Sequence, residues 1–442
     1  MAYIQSEVRG QHTLFPSTLD ELIPADHVCR VIEAFVGKLE MEALGFVRAE
    51  PAETGRPGYD PRDLLKLYLY GYLHQLRSSR RLEAECRRNV ELMWLLGRLI
   101  PDYKSISEFR RMHSDAVTRT GAELVKLARE VGLVRGEWIA IDGSKFRAVS
   151  SAGAVRERDA VKRYLDQLEL ADEQEEVVID PTAVAAALEK LKRDPEPEAR
   201  FMRTANGIVP AYNVQTAVDA EHGLIVAQKV TIEASDNRSL LPMAEAAKQA
   251  LESPETLKIV ADAGYSNGEQ ASQCESAGIL PHAPANRAIN NQGDGQFFDR
   301  SLFLYDEKTD TFRCPAQQTL QRKQMLSRKK SVIYAAPVEV CSKCPLKSQC
   351  TTRRRRFVQR HIHEGALQRM NARATAAAMR LRRCTVERPF ATLKYVIFGH
   401  PRFLLRGLSG AQVEISLATL AYNMKTMMNV LGAAQLAQAL AS

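Results

Sequence analysis

Three acids stand where an acid is costly. Asp142 interrupts the strand-like run WIAIDGSKF just after the apolar residues Ile139 to Ile141. Asp262 does the same in IVADAGY, where Ile259 and Val260 lead a buried run into a carboxylate followed closely by glycine. Glu387 is the only acid between Gly365 and Leu408, and its neighbours include Arg380, Arg382, Arg383, Arg388 and Lys394. Carboxylates at the ends of strands in α/β folds face the crevice where ligands bind. Taken alone, Asp142-Gly143 also reads as a hairpin turn, and Glu387 as an ion-paired residue on a basic helix. If the three converge, repulsion and desolvation would push protons onto them unless a cation compensates. Hard oxygen donors select magnesium or manganese. Two such ions, ~3.5 to 4 Å apart, serve in-line phosphoryl displacement, so the matching substrate is a phosphodiester. Arg383 and Lys394, four residues before Glu387 and seven after it, share its face on a continuous helix and could grip backbone phosphates, although Pro389 removes a hydrogen bond from that helix and favours a kink.

A second cluster is sulfur-based. Of eight cysteines, Cys314, Cys341, Cys344 and Cys350 crowd one irregular segment, with the spacing Cys341-x2-Cys344-x5-Cys350. Four thiolates suit a tetrahedral structural zinc, and a small irregular insertion needs an internal staple. His361 or His363 could replace one thiol, and a reduced, metal-free loop is the alternative. Arg353, Arg354, Arg355 and Arg356 adjoin the cluster and read as a DNA-facing patch.

Positioning these residues requires at least two kinds of text. Residues 1–130 carry apolar positions recurring at three and four, punctuated by Pro51, Pro57, Pro61 and Pro101, as in a helical bundle. Ser105 and Glu108 suggest a capping box at the head of a long helix that carries Arg110, Arg111 and His113. Two helices, a proline-containing link and a basic helix suggest a helix-turn-helix, with Arg110 and Arg111 as DNA contacts. A solvated basic face on an ordinary bundle is the plainer alternative. From Gly136 the text turns to strands: WIAIDGSKF, a hairpin across YNVQTAVDAEHGLIVAQKVTIEA, then helix and strand in alternation. This predicts an α/β mixed sheet flanked by helices, over 136–290 and 371–432. An acidic helical insertion over 155–205 and the cysteine-bearing insertion over 291–370 interrupt it.

The net charge of +8 is unevenly placed: Thr351 to Gly410 holds fourteen Lys or Arg residues and two acids, a field that favours polyanions. MAYIQSEVRG lacks a signal-peptide core, and no run approaches the ~18 apolar residues of a membrane span, so no membrane role is expected and the cytosol is.

WIAIDGSKF, PAYNVQTAVDAEHGLIVA, IVADAGYSNGE and RRCTVERPFATLKYVIFGHPRFLLRGL together resemble the bacterial insertion-sequence transposases of the DDE class, whose core is ribonuclease-H-like. GRPGYDPRDLLKLYLYGYLHQLRSSRRLEAECRRNVELMWLLG is similar to the helical DNA-binding domain of the same family. The resemblance implies a catalytic triad of Asp142, Asp262 and Glu387 binding two magnesium or manganese ions. It also implies double-stranded DNA as partner, at inverted terminal repeats and at a target site, with strand cleavage followed by strand transfer. The family signature Tyr-x2-Arg-x3-Glu-x6-Lys falls on Arg383, Glu387 and Lys394, while Arg380 stands at the tyrosine position. A homodimer or higher oligomer is expected, since two element ends must meet. The competing readings are a DNA-binding regulator descended from such an element that no longer cuts, and a metal-dependent nuclease that does not join.

Overall fold

A computed structural model describes residues 18–50, 58–172, 181–252, 256–285, 297–327 and 330–441. The MAYIQSEVRG stretch, Pro51, Pro57 and the centre of the acidic run, residues 173–180, lie outside the described residues. The chain divides into two compact units, one of residues 1–133, 147–198 and 391–442, the other of residues 134–146 and 199–390.

The first unit is helical. Its N-terminal helices Val28–Gly37, Pro61–Leu73, Ser79–Cys86, Val90–Leu95, Tyr103–Met112 and Ser114–Glu130 follow the apolar periodicity of the sequence. The Gly407–Leu431 helix packs against the Ser114–Glu130 and Pro61–Leu73 helices. It is buried on every side from Val413 to Met424, with Val413, Ile415, Leu417, Leu420, Met424 and Met427 almost fully enclosed, as a central helix is. The compact unit thus takes in part of the 371–432 segment that the sequence assigns to the sheet core.

Two details of the expected long helix are corrected. Its cap is Asp102, whose Oδ1 accepts from the Lys104 and Ser105 N–H groups at 3.0 and 3.1 Å, and Ser105 donates its hydroxyl to Asp102 rather than capping. The helix also breaks at His113, whose backbone leaves helical geometry at φ −114° and ψ 29°. The His113 ring explains the break: Nδ1 is tied to the Phe109 carbonyl at 2.8 Å while Nε2 accepts from Val47 N–H at 3.0 Å.

The second unit holds two sheets. In the first, β1 (Trp138–Arg147), β2 (Arg200–Thr204), β3 (Gly207–Asp219), β4 (Ile225–Thr231), β5 (Leu257–Val260) and β6 (Ile279–His282) form the order β2-β3-β1-β5-β6, with β4 also paired to β3. β3 runs antiparallel to β4, whereas β1, β5 and β6 are parallel. A hairpin on one side of a central strand and two parallel strands on the other is the ribonuclease-H-like arrangement the resemblance implies. β1 and β5 pair only from Trp138↔Lys258 to Ala140↔Val260. Asp142 and Asp262 therefore lie two residues past the end of the same ladder, side by side.

The 291–370 segment, read from the sequence as irregular, builds a second sheet of five antiparallel strands within its described residues: β7 (Leu304–Asp306), β8 (Thr311–Arg313), β9 (Thr319–Leu326), β10 (Ser331–Ala335) and β11 (Phe357–His361). Its strands are short, and β9 exposes Gln321 to Gln324, so polarity hides the pattern. The sheet has its own core of Phe303, Phe312, Leu320, Val332, Tyr334 and Val358, against which Cys314, Cys341 and Cys350 pack.

Candidate active site

Asp142 is not in a turn: β1 continues through it to Arg147. Ile139, Ala140 and Ile141 are completely buried, so the apolar run anchors the strand and delivers the carboxylate at the margin of the core. The glycine that follows has a packing reason. A Cβ on Gly143 would lie 2.2 Å from Gln215 Nε2 and 2.5 Å from Asp236 Oδ1. Asp262 opens the short Ala263–Tyr265 turn of helix, and its Oδ1 accepts from Gly264 N–H at 2.7 Å.

The third side of the site is the Ala376–Ala391 helix. Ala378 and Val386 pack on Ala140 of β1 and Val260 of β5, the residues just before the two acids. Ala378, Arg382 and Val386 recur at every fourth position, so Arg382 lies on the face turned to the sheet. Its Nη2 is 2.7 Å from Asp142 Oδ1 and 3.6 Å from Asp262 Oδ2, with the Arg382 side chain 17% exposed. Glu387 is an exposed residue beside Val386 on the same helix, and Arg383 is exposed one turn before it.

Burial raises the Asp142 carboxyl to about 6; Arg382 opposes the rise, and Asp262 and Asp236 add to it. The cost of burying Asp142 thus outweighs the one guanidinium beside it. Asp236 is a fourth acid that the sequence reading missed. Its Oδ1 accepts from Asn213 Nδ2 and Gln215 Nε2, each at 2.6 Å, and from Lys145 Nζ at 3.2 Å. Gln215 in turn accepts from the Tyr265 hydroxyl. The available signal was Asn213 and Gln215 at alternate positions of YNVQTAV, two amide side chains turned to one face of a buried strand. Arg382 gave no signal, being one arginine among many.

The other predicted residues are placed as follows. Lys394 falls in a π-helical turn, Thr392–Ile397, that succeeds the Pro389-containing helix. Equal-face spacing from Glu387 does not carry through that change of pitch. Arg111 is exposed and pairs with Glu108 at 3.3 Å. Arg110 is a correction: it is 5% exposed, with its guanidinium 5.3 Å from the Tyr68 ring centroid and Nη1 donating to the Arg77 carbonyl. It is a core residue because its planar head is stacked and bonded inside the bundle. The Arg353 to Arg356 run also splits. Arg353 and Arg354 are exposed and Arg355 lies over the Phe357 ring. Arg356 turns inward, donating to the Cys350 and Phe298 carbonyls.

All four clustered cysteines line one cavity of about 40 Å³. Cys314 Sγ accepts the Gln318 N–H at 3.3 Å, and burial, with the other three thiols, raises the Cys350 thiol. Among the described residues, the set of three His, Cys, Asp or Glu ligand atoms drawn within 4.8 Å of one another is His27, Cys29 and Glu91. Neither the three acids nor any three of the four cysteines reach that spacing. In the His27 set, Nδ1 caps the Val28–Gly37 helix by accepting the Cys29 N–H, which leaves the proton on Nε2, 3.4 Å from Glu91.

Residues 17–112 match the family model described as a transposase domain (DUF772). Residues 171–424, more than half of the chain, match the model described as a transposase DDE domain. The chain belongs to the DDE transposases. Members of this family cut and transfer DNA strands with divalent metal ions, and the chain is accordingly a DNA transposase. Asp262 and Glu387 fall inside the DDE match, and Asp142 lies between the two matched segments. Among solved structures, a piggyBac transposase synaptic complex with hairpin DNA is similar at 8% identity, covering 94% of this chain and 79% of that one, with a TM-score of 0.38. No curated protein matches the chain. Among the described residues, no helix is long and apolar enough to cross a membrane.

In donor type, though not in their present spacing, the acids suit divalent metal. They offer only hard oxygens, and the two strand-end carboxylates already share one cationic nitrogen, so a cation satisfies a need that the fold creates.

Proposed function

We propose that this transposase acts at the terminal inverted repeats of an insertion sequence, hydrolysing the strand at each element end and joining the freed 3′ end to target DNA. Asp142, Asp262 and Glu387 would hold two magnesium or manganese ions, and the observation that carries this is the shared hold of Arg382 on Asp142 and Asp262. The ions supply Lewis acidity at the scissile phosphate and a more acidic attacking water. The chain's own residues do the rest. β1 and the turn after β5 fix the two aspartates, and Ala378 and Val386 hold against the sheet the helix that carries Glu387. Asp236 Oδ1 is held by Asn213, Gln215 and Lys145, so in this reading Asp236 contributes field and rigidity rather than a ligand. Arg383, Lys394, Arg111, Arg353 and Arg354 are the phosphate contacts, and the DNA is engaged in the cytosol by a homodimer holding both ends.

The test is magnesium-dependent cleavage and joining of a duplex bearing the element end. Asp142→Asn and Glu387→Gln should each lower cleavage by about 10³-fold or more while end binding persists. Near-normal cleavage by either variant removes that residue from the site. Loss of joining alone in the wild type would instead favour a plain nuclease, and wild type that binds but never cuts would favour a regulator.

For the cysteines we propose one structural zinc held by Cys314, Cys341, Cys344 and Cys350. Their common cavity and the amide donated to Cys314 Sγ support it, because backbone N–H donors favour a thiolate. The need for a staple is smaller than the sequence suggests, since this segment has an apolar core of its own. Dialysed, folded protein with no stoichiometric zinc, and Cys341→Ser with unchanged stability, would end the idea.

A further inference from the structure

Arg382 stands outside the Arg, Glu and Lys positions of the family signature, yet its side chain holds the place between the two strand-end aspartates. Its grip is poor by the standards of arginine. One nitrogen, Nη2, serves both carboxylates at 2.7 and 3.6 Å, where a guanidinium at its best meets one carboxylate with two parallel bonds. Its Nε is buried and has no hydrogen-bond partner, which leaves a donor of the fork unused in a desolvated place.

We propose that Arg382 is a built-in stand-in cation, which keeps Asp142 and Asp262 together before metal arrives and leaves them for a DNA phosphate as metal enters. This rests on the reading of Asp142 and Asp262 as metal ligands. Guanidinium and divalent ion compete for the same oxygens, so in the absence of DNA the arginine weakens metal binding. A phosphodiester offers the oxygens that would occupy Nε and the remaining fork. DNA therefore draws the arginine away and tightens metal binding, and by linkage metal tightens DNA binding by the same factor. Metal loading becomes conditional on substrate, which limits hydrolytic competence of the enzyme away from DNA.

The experiment measures manganese binding to the full chain, by paramagnetic resonance of free Mn²⁺, for wild type, Arg382→Gln, Arg382→Lys and Asp142→Asn, with and without a duplex of unrelated sequence. Arg382→Gln should bind Mn²⁺ about tenfold more tightly than wild type without DNA. The duplex should tighten binding by wild type and by Arg382→Lys, and leave Arg382→Gln unmoved. A merely structural arginine gives the opposite sign, because losing it would loosen the site and weaken metal binding. Arg382→Gln binding equally or less tightly, or responding to DNA as wild type does, overturns the proposal while leaving the metal site standing. Manganese binding that ignores Asp142→Asn sinks the metal-site reading itself, and the stand-in with it.

Discussion

Two carboxylate–arginine sites in this molecule have opposite characters. In the helical unit Glu414 is 0% exposed, yet every demand it makes is met. Its Oε1 accepts from the Leu404 and Leu405 N–H groups at 2.7 and 2.6 Å, and its Oε2 from Arg77 Nη1 at 3.0 Å. Arg77 also donates to the Phe398 and Arg402 carbonyls, so one ion pair ties down the whole turn that precedes the central helix. Burial raises the Glu414 carboxyl, and Arg110 and Arg77 oppose the rise. In the sheet unit Asp142 has one guanidinium nitrogen, which it shares with Asp262, and a second acid behind it in Asp236. A satisfied buried charge is architecture. A half-buried pair of carboxylates sharing one cation is the pattern from which a functional site is proposed.

The contrast can be broken most forcefully at Glu414. Glu414→Ala leaves Arg77 without its carboxylate and two amides without an acceptor, and should lower stability by about 3–5 kcal/mol. Urea unfolding would measure it, and a loss below about 1 kcal/mol would mean that the pair does not organise the bundle. At the other site the tightest point is Gly143. Gly143→Ala drives a methyl into Gln215 and Asp236, and should cost about 1–3 kcal/mol and blunt cleavage; unchanged stability would show that the Asp236 network gives way freely.

The smallest effect has the opposite sign. The Asp142 carboxyl is raised to about 6 from 3.8, so the folded protein binds a proton there more tightly than the unfolded chain does. Its stabilising contribution is full below pH 4 and is lost as pH rises through about 6, which makes ionised Asp142 a liability at neutral pH. With metal chelated, Asp142→Asn should therefore stabilise the protein at pH 7.5 by about 1–2 kcal/mol, a gain that vanishes near pH 4. A variant less stable than wild type at pH 7.5 would show that Arg382 more than offsets the burial.

How much of this was legible in the sequence follows from what kind of signal each feature leaves. Asp142 and Asp262 were legible because acids break apolar runs, and the ladder ending at Ala140 and Val260 puts them side by side. The helical text was legible from its period, but not the break at His113, which depends on a bond from Val47, 66 positions away. The second sheet was missed because its strands are short and their outer positions charged. Arg110 and Arg356 were misread since a basic run looks alike whether its members point to solvent or stack inside. Asp236 left only the indirect signal of Asn213 and Gln215, and Arg382 left none, because its partners Asp142 and Asp262 lie more than a hundred residues before it.

The central claim, that Asp142 is a metal ligand in a phosphoryl-transfer site, is tested most directly by changing the metal's preference at that atom. Asp142→Cys presents a soft sulfur that magnesium rejects and manganese tolerates. Cleavage of an element-end duplex should disappear in magnesium and return in manganese for this variant, while Asp142→Ala stays inactive in both. Equal activity of Asp142→Cys in the two metals, or rescue of Asp142→Ala by manganese to the same level, would contradict it.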